Sequence, residues 1–377
     1  MGSGRMENST MLLTGDQKML QETAANFLRE EGGPAKQLRP LRDRGCTDGF
    51  GDALWAKFGE LGLSAVAIPE SHGGLGLGAT EAALILEEIG RNLTPSPFLI
   101  SGVVAARAIE GTAQADQWFP RILAGDATLA MAVDEGPRHR PDAIALLAKR
   151  QGNGFVLTGE KQFVIQGASA DMIVTAARTG RGITLFAVPK GAAETENVAL
   201  LDGSRAARLH FDDVALDADS VIGEVDGGAE RLNRAIEAGR AGAAAELVGV
   251  AAGISAMTVD YLSQRKQFGR AIGEFQALQH RAAHLYGEIE IARATALKAA
   301  QLLDADDPKA PLYVSVAKAK AADVARLATR EGIQMHGGIG MTDEHDSGLF
   351  MKRAAVLEEL FGDVFFHRER VAALSSY

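Results

Sequence analysis

The sequence predicts an α+β protein in which an N-terminal α-helical domain and a C-terminal four-helix bundle flank a middle domain of antiparallel β-strands. Two observations carry this prediction. Apolar residues recur at spacings of three and four at both ends of the chain, and short β-branched runs separated by turns fill the middle. The 377 residues are 46% hydrophobic, which suffices for two or three domains with large cores. The predicted domains are residues 1–126, 127–224 and 225–377.

The first domain is predicted from four amphipathic segments, which turn-rich joints separate. These segments are residues 17–29, 51–63, 79–90 and 101–110. The polar start of the chain shows no signal peptide, and residues 1–5 are interpreted as a cloning remnant ahead of Met6.

The middle domain is predicted from short runs rich in β-branched and aromatic residues, bounded by glycine-containing turns. The runs are residues 155–157, 163–165, 172–176, 183–188 and 208–211. No helix-length segment lies between them to make a parallel crossover, so the strands are expected to pair antiparallel.

The C-terminal domain is predicted from long apolar stripes that step by three and four, from Leu247 to Tyr261 and from Leu278 to Ala296. Short turns join them, which is typical of an antiparallel helical bundle. Abundant alanine indicates either close helix approach or a helix-rich subunit interface, and the sequence leaves both open. The apolar stretch at residues 241–262 carries two acidic residues, so it predicts a buried helix rather than a membrane span.

Charge and cysteine content exclude several kinds of partner and site. The formal net charge of -10 argues against a nucleic-acid partner, which would require a basic face. The single cysteine, Cys46, cannot support a disulfide framework or a thiolate metal site, and no metal site is predicted. One unpaired cysteine is consistent with a reducing environment, so a cytoplasmic location is expected.

The strongest local motif lies at residues 265–276, RKQFGRAIGEFQ, between two predicted bundle helices. A helix C-terminus accounts for Arg265 and for Gly269 as a left-handed cap. It does not account for Phe268 or for the return to Phe275 and Gln276 within one turn region. A cationic group beside aromatic rings and amides suits a nucleotide diphosphate and its heterocycle.

A second motif, QMHGGIGMT at residues 334–342, closes a later helix of the bundle. Three glycines in four positions exceed what a helix cap needs, and they allow a backbone to approach a bound ligand closely. His336 within the motif is interpreted as a hydrogen-bonded structural histidine.

These two motifs, after a β domain and at this separation, resemble those of the acyl-CoA dehydrogenase family. The resemblance spans nearly the whole chain and includes the glycine-rich turn at residues 69–76 and the strand at residues 159–165. It implies an acyl-CoA substrate and an FAD cofactor. In that family a glutamate removes the α-proton of a thioester while the β-hydrogen passes to the flavin as hydride.

The resemblance also implies site residues. Arg240 would line the substrate pocket, and Phe163 would lie on the strand that backs the flavin. The residues implied to hold the rest of FAD are Arg265, Gln267, Phe268 and Gln276, with Gln334, Gly337 and Gly338 from a neighbouring subunit. A site shared in this way requires at least a dimer, and the family also implies tetramers and an electron acceptor protein.

The sequence departs from the family where the catalytic glutamate stands. Phe361 occupies the usual base position, and Gly239 occupies the alternative position before Arg240. Neither residue can accept a proton. The flavin-contacting loop is replaced by residues 133–140, VDEGPRHR, and the strand at residues 163–165 lacks the family's hydroxyl donor.

Four interpretations stay open. The chain is one subunit of a heteromeric dehydrogenase, similar to the small subunits of pimeloyl-CoA and steroid-side-chain enzymes, and its partner supplies the base. Alternatively, it acts alone with a replacement base, for which Asp363 is nearest and Glu237 and Glu246 are further candidates. The remaining two are a flavin monooxygenase or oxidase on the same fold, and a non-catalytic partner subunit.

Overall fold

A computed structural model of the chain describes residues 12–376, so the interpretation of residues 1–5 as a cloning remnant lies outside the described residues. The N-terminal region is helical, as predicted. Its α-helices are α1 (Gly15–Phe27), α2 (Leu38–Asp43), α3 (Asp52–Glu60), α4 (Ala79–Asn92), α5 (Ala106–Ile109) and α6 (Ala113–Leu123). Two π-helical segments, Leu28–Gly32 and Phe98–Ala105, continue α1 and precede α5.

The predicted helical segments of this region are present, with shifted ends. Helix α1 begins at a capping box, in which Thr14 and Gln17 each accept a hydrogen bond from the other's backbone N–H. Helix α3 ends at Glu60 because Gly62, with φ of +71°, turns the chain away from the helix. Buried aromatic side chains, among them Phe58 and Phe98, fill the core between these helices.

The middle region forms one mixed sheet. Its strands are β1 (Leu129–Ala132), β2 (Leu147–Gln151), β3 (Gly154–Ile165), β4 (Met172–Arg178), β5 (Ile183–Pro189), β6 (Glu194–Ala199), β7 (Arg205–Leu216) and β8 (Val221–Ile222). Seven strands follow the order β6-β7-β3-β2-β4-β5-β8, and β1 pairs with β4. The runs predicted as separate strands at residues 155–157 and 163–165 belong to β3, which register shifts interrupt where it pairs with β7.

The antiparallel prediction is correct for most pairs but wrong for two. Strand β1 runs parallel to β4, and β2 meets β4 through one parallel pair, Leu147 and Arg178. The prediction assumed that a parallel crossover needs a helix. Here the long loop after β1 and the β2–β3 hairpin form the crossover instead.

The C-terminal region is the predicted bundle. Its helices are α7 (Gly228–Gln264), α8 (Gln276–Asp304), α9 (Ala310–His336), α10 (Ser347–Glu359) and α11 (Val364–Leu374), with a hairpin of β9 (Lys266–Gln267) and β10 (Arg270–Ala271) after α7. Helices α7, α8, α9 and α10 pack as the four-helix bundle, and α11 packs on α9.

Helix α7 is the central element of the molecule. It is the one helix of residues 12–376 that is long and apolar enough to cross a membrane, but 78% of its most apolar stretch is buried inside the fold. Its glycines let α4 approach closely: a Cβ atom added to Gly249 would lie 1.9 Å from the carbonyl oxygen of Glu87. The small residues of α7 therefore serve close helix packing, one of the two explanations that the sequence left open.

Candidate functional site

A cleft of about 1200 Å³ lies between the N-terminal helices, the loop after β1 and the C-terminal bundle. Its lining includes Ala82, Val103, Pro141, Arg240, Phe366 and Arg370. All three regions of the fold contribute to it, and Arg240, which the sequence predicts in a substrate pocket, faces it. The lining is also strongly charged, with carboxylates such as those of Asp142, Glu230 and Glu369 beside the arginines.

Arg240 is held rigidly in the wall of this cleft. Its side chain is buried, and Nη1 donates to Glu237 Oε1 at 2.6 Å. Nη2 donates to His139 Nε2 at 3.1 Å, and Nε donates to the carbonyl oxygen of Phe361 at 3.3 Å. The guanidinium also lies 5.1 Å from the ring centre of Phe366. Burial lowers the pKa of Arg240, and the neighbouring Glu237 opposes that shift.

Phe361 and Gly239 are in direct contact. Phe361 is 8% exposed, and its backbone has a positive φ of +60°. A Cβ atom added to Gly239 would lie 2.8 Å from Phe361 Cε2 and Cζ, so the ring fills the space that a side chain at 239 would need. Positions 239 and 361, which the family resemblance connects with a catalytic carboxylate, are therefore neighbours, and the ring at position 361 packs against the backbone at position 239.

The three candidate replacement bases each have a structural partner. Asp363 is the N-cap of α11, where its Oδ1 accepts the backbone N–H of Phe366 at 2.7 Å. Glu237 is paired with Arg240 and, at 2.5 Å, with Arg370. The capping bond disfavours Asp363 as a base, so its proposed role stays a prediction that the geometry does not support.

Glu246, the third candidate, lies away from this cluster. Its Oε1 accepts a hydrogen bond from Arg353 Nη2 at 2.5 Å, and its side chain is 2% exposed. Burial raises the pKa of Glu246, while Arg353 opposes that shift. Because one carboxylate oxygen binds Arg353 and the side chain does not line the cleft, Glu246 is also poorly placed to accept a substrate proton.

Two buried basic side chains, Lys318 and His367, lie close to the chain segment that carries Phe361. Lys318 Nζ donates to the carbonyl oxygens of Glu358 and Gly362, at 3.0 and 3.1 Å. Burial lowers the pKa of Lys318 to about 7. His367 is fully buried, and neither of its ring nitrogens has a hydrogen-bond partner among residues 12–376. Burial, followed by the charge of Lys318, lowers the pKa of His367 to about 2.

The loop after β1 places His139 beside Arg240, a contact that the sequence did not indicate. His139 Nδ1 lies 3.0 Å from both carboxylate oxygens of Asp134. Glu135 accepts hydrogen bonds from the backbone and from Lys161 Nζ, whose pKa burial lowers to about 8. The signal available in the sequence was the departure of residues 133–140 from the family pattern, which placed His139 in a cofactor loop without revealing its partners.

The residues predicted to hold FAD cluster at one end of the bundle. The rings of Tyr261 and His336 lie 4.6 Å apart, so the end of α7 and the end of α9 meet there. The residues predicted in the two motifs are exposed at this end: Arg265, Gln267, Phe268, Gln276, Gln334, Gly337 and Gly338. Phe268 is 91% exposed on the hairpin after α7.

The chemistry of this exposed set fits the diphosphate and adenine of FAD. It offers a guanidinium, amides, an aromatic face and a glycine backbone with nothing within 4 Å of an added Cβ at Gly337 or Gly338. Phe163 lies apart from it on β3, 53% exposed, where a register shift and a φ of +53° turn it outward. Within the described residues there is no group of three or more His, Cys, Asp or Glu side chains that could hold a metal ion.

Comparisons with known proteins cover nearly the whole chain. Models of the acyl-CoA dehydrogenase N-terminal and C-terminal domains match residues 14–126 and 226–374. Cyclohex-1-ene-1-carbonyl-CoA dehydrogenase of Geobacter metallireducens is 30% identical over 363 residues, which is 92% of this chain and 94% of that protein. Acyl-CoA dehydrogenase IpdE2 of Mycobacterium tuberculosis is 33% identical over 345 residues, 90% of this chain and 91% of that protein. A chain of the ChsE4-ChsE5 complex of Mycobacterium tuberculosis is 26% identical with a TM-score of 0.86, covering 97% of this chain and 99% of that chain.

Proposed function

Because this chain belongs to the acyl-CoA dehydrogenase family of FAD flavoproteins, we propose that it takes part in α,β-dehydrogenation of an acyl-CoA thioester as one subunit of a heteromeric enzyme. Members of the family are oxidoreductases that act on CH–CH groups. In this proposal a second acyl-CoA dehydrogenase chain supplies the group that accepts the α-proton.

The observation that carries the proposal is the contact between Phe361 and Gly239. If these are the two positions at which the family places its glutamate, one is filled by a ring and the other has no side chain. Asp363, Glu237 and Glu246 are each engaged by other groups, so none of these three candidates is free to act as a base. A chain with this cleft would depend on another subunit for proton abstraction.

The proposed cofactor site uses the exposed end of the bundle. Arg265, Gln267, Phe268 and Gln276 would bind the diphosphate and adenine side of FAD, while Gln334, Gly337 and Gly338 would face it from a neighbouring subunit. When bound, FAD supplies the acceptor for the β-hydride. Phe163 would lie beside the flavin ring, and Arg240 would bind the thioester in the cleft.

The proposed partner is supported by likeness to a protein of two different chains, the ChsE4-ChsE5 complex. A homo-oligomer, dimer or tetramer, is the alternative assembly, and an electron acceptor protein would reoxidise the flavin. We also propose a cytoplasmic location, which is consistent with the free thiol of Cys46.

Anaerobic titration of the FAD-loaded chain with a panel of acyl-CoA thioesters tests this proposal. The flavin absorption of the isolated chain should stay unchanged, and it should bleach once a partner chain with a glutamate at the position matching Phe361 is added. Bleaching of the isolated chain by any thioester would contradict the heteromeric proposal. Oxygen consumption by the isolated chain with reduced flavin would instead support the monooxygenase or oxidase alternative.

A further inference from the structure

We propose that Lys161, paired with Glu135, is a positioning residue that fastens the loop after β1 to strand β3 and keeps Phe163 turned toward the isoalloxazine ring of FAD. The part that FAD plays here rests on the proposed function. The fastening itself is built from contacts between residues 133–146 and residues 161–163.

Lys161 and Glu135 form a buried ion pair between β3 and the loop. The side chain of Lys161 is 0% exposed, and its Nζ donates to Glu135 Oε1 at 2.7 Å. Nζ also donates to the carbonyl oxygen of Val133 at 2.9 Å. A lysine with no exposed surface needs such partners, because its charge has lost the solvation of water. The pair therefore fixes the beginning of the loop to β3.

The same pair also fixes the far end of the loop. Glu135 Oε2 accepts the backbone N–H of Ala145 at 2.7 Å, and Oε1 accepts that of Leu146 at 2.8 Å. Val133 directly follows β1, whereas Leu146 directly precedes β2. Both ends of the loop thus meet at one carboxylate and one ammonium group, so the course of residues 133–146 depends on this ion pair.

Strand β3 is irregular where the loop is attached, because its register with β7 shifts between Lys161 and Val164. The backbone N–H of Gln162 donates to the carbonyl oxygen of Asp134 in the loop at 2.7 Å. Phe163 follows with a φ of +53°, and it is exposed. Such an irregularity re-aims a side chain, and a positive φ is unfavourable for a bulky residue unless its surroundings impose it. The attached loop supplies those surroundings.

The location of the ion pair predicts which part of FAD it affects. Lys161 is two residues from Phe163, and its hydrogen bonds lie within the β domain. The residues proposed for the diphosphate and adenine lie instead where the ends of α7 and α9 meet. Loss of the pair should therefore weaken contacts with the isoalloxazine ring and leave binding of the ADP part unchanged.

The test compares FAD with ADP as ligands of Lys161→Met, Glu135→Gln and the control Lys149→Met, each in the assembled protein. Methionine cannot donate to the loop, whereas glutamine keeps an acceptor for Lys161 without the charge. Lys149 is an exposed lysine on β2 of the same sheet. Equilibrium dialysis gives the dissociation constants, and the visible absorption band and reduction potential of bound FAD report the surroundings of its ring.

Lys161→Met should bind FAD about tenfold more weakly than the wild type, with a shifted flavin band, and should bind ADP equally well. Glu135→Gln should show a smaller change in the same direction, and it carries the test if Lys161→Met does not fold. Lys149→Met should match the wild type in every measurement.

Wild-type FAD affinity and a wild-type flavin spectrum in both Lys161→Met and Glu135→Gln would overturn the positioning role and leave the proposed function intact. Equal losses of FAD and ADP affinity would also overturn it, because the pair would then support the whole fold rather than the surface for the flavin ring. Failure of the wild type to bind FAD would instead overturn the proposed function.

Discussion

Two residues that face each other, Phe361 and Gly239, carry the functional argument at the scale of single side chains. The ring of Phe361 fills the space that a side chain at position 239 would occupy. The carbonyl oxygen of Phe361 accepts a hydrogen bond from Arg240. The Phe361 ring therefore depends on position 239 having no side chain. This coupling can be measured as an interaction energy between the two positions.

Gly239→Ala should destabilise the protein by about 1–3 kcal/mol, although alanine favours a helix, because the added Cβ would crowd the Phe361 ring. In a Phe361→Ala background the same substitution should be neutral or stabilising, because the ring is gone. Denaturant unfolding of the wild type, both single variants and the double variant gives the coupling. Equal effects of Gly239→Ala in both backgrounds would show that the contact does not constrain position 239.

Lys318 predicts a pH dependence of stability. Burial lowers its pKa to about 7 in the folded chain, whereas an unfolded lysine has a pKa of about 10.4. Between these values the unfolded chain binds the proton and the folded chain does not, so the free energy of unfolding rises with pH by up to about 1.4 kcal/mol per unit. Below the folded pKa the contribution is constant.

Lys318→Met should lack this rise, while the similar contribution of Lys161 stays in both proteins. The check is the difference in thermal unfolding midpoint between the two proteins, followed from neutral to alkaline pH. A difference that does not change with pH would mean that Lys318 stays charged in the folded protein.

Sequence patterns predicted which candidate site residues lie together in some cases and missed other contacts for a physical reason. The motifs at residues 265–276 and 334–342 are local, so their clustering followed from the helices that carry them. Asp363 was chosen for nearness in sequence to Phe361, but its carboxylate caps α11. His139 contacts Arg240, which lies 101 residues away in the chain, and no local pattern encodes that pairing.

At the scale of secondary-structure elements, one arginine connects α10, α7 and the β6–β7 turn. Arg353 Nη2 donates to Glu246 on α7, and Nη1 donates to Asp202 in the turn at 2.8 Å. Both carboxylates are buried, so each depends on Arg353 for its counter-charge. This clamp joins the bundle to the β domain.

Arg353→Met should destabilise the protein by about 3–5 kcal/mol, because it leaves Glu246 and Asp202 buried without a cation. The double variant Arg353→Met with Glu246→Gln should recover part of that loss, since one uncompensated charge is removed. Chemical denaturation of the three proteins measures both effects. A loss below about 1 kcal/mol in Arg353→Met would show that water compensates the two carboxylates.

The strands show which features of the sheet the hydrophobic periodicity of the sequence does not predict. Turn residues and β-branched runs located β3, β4, β5 and β7, half of the eight strands of the sheet, and helical stripes located α7 and α8. The parallel pairing of β1 with β4 was not predictable in the same way, because it depends on where α6 delivers the chain rather than on the residues of β1. Strand direction is a property of the connections, which sequence spacing describes poorly.

At the scale of the whole molecule, the proposed FAD site occupies only one face of the chain. The hairpin after α7 holds Phe268 almost fully in solvent, although its ring is large and apolar. Covering such a ring with a ligand or a neighbouring subunit is energetically favourable, because it removes apolar surface from water. The exposed end of the bundle therefore fits a cofactor shared between subunits.

Phe268→Ala should weaken FAD retention by about 1–3 kcal/mol, the usual contribution of stacking a base on an aromatic ring. Phe365→Ala is the matched control, since Phe365 is 74% exposed but lies on α11. Equilibrium dialysis of FAD against the assembled protein measures both variants. Equal retention in Phe268→Ala and Phe365→Ala would remove Phe268 from the cofactor site.

If this chain has no base for the α-proton, a saturated acyl-CoA bound to it should not exchange that proton with deuterated solvent. Nuclear magnetic resonance would follow exchange at the α-carbon of a saturated acyl-CoA in the wild type, Phe361→Glu and Phe361→Gln, each loaded with FAD. We expect no exchange in the wild type or in the glutamine variant, and exchange in Phe361→Glu, because only that variant gains a proton acceptor. Exchange in the wild type as fast as in Phe361→Glu would contradict the claim and show that another group of this chain removes the proton.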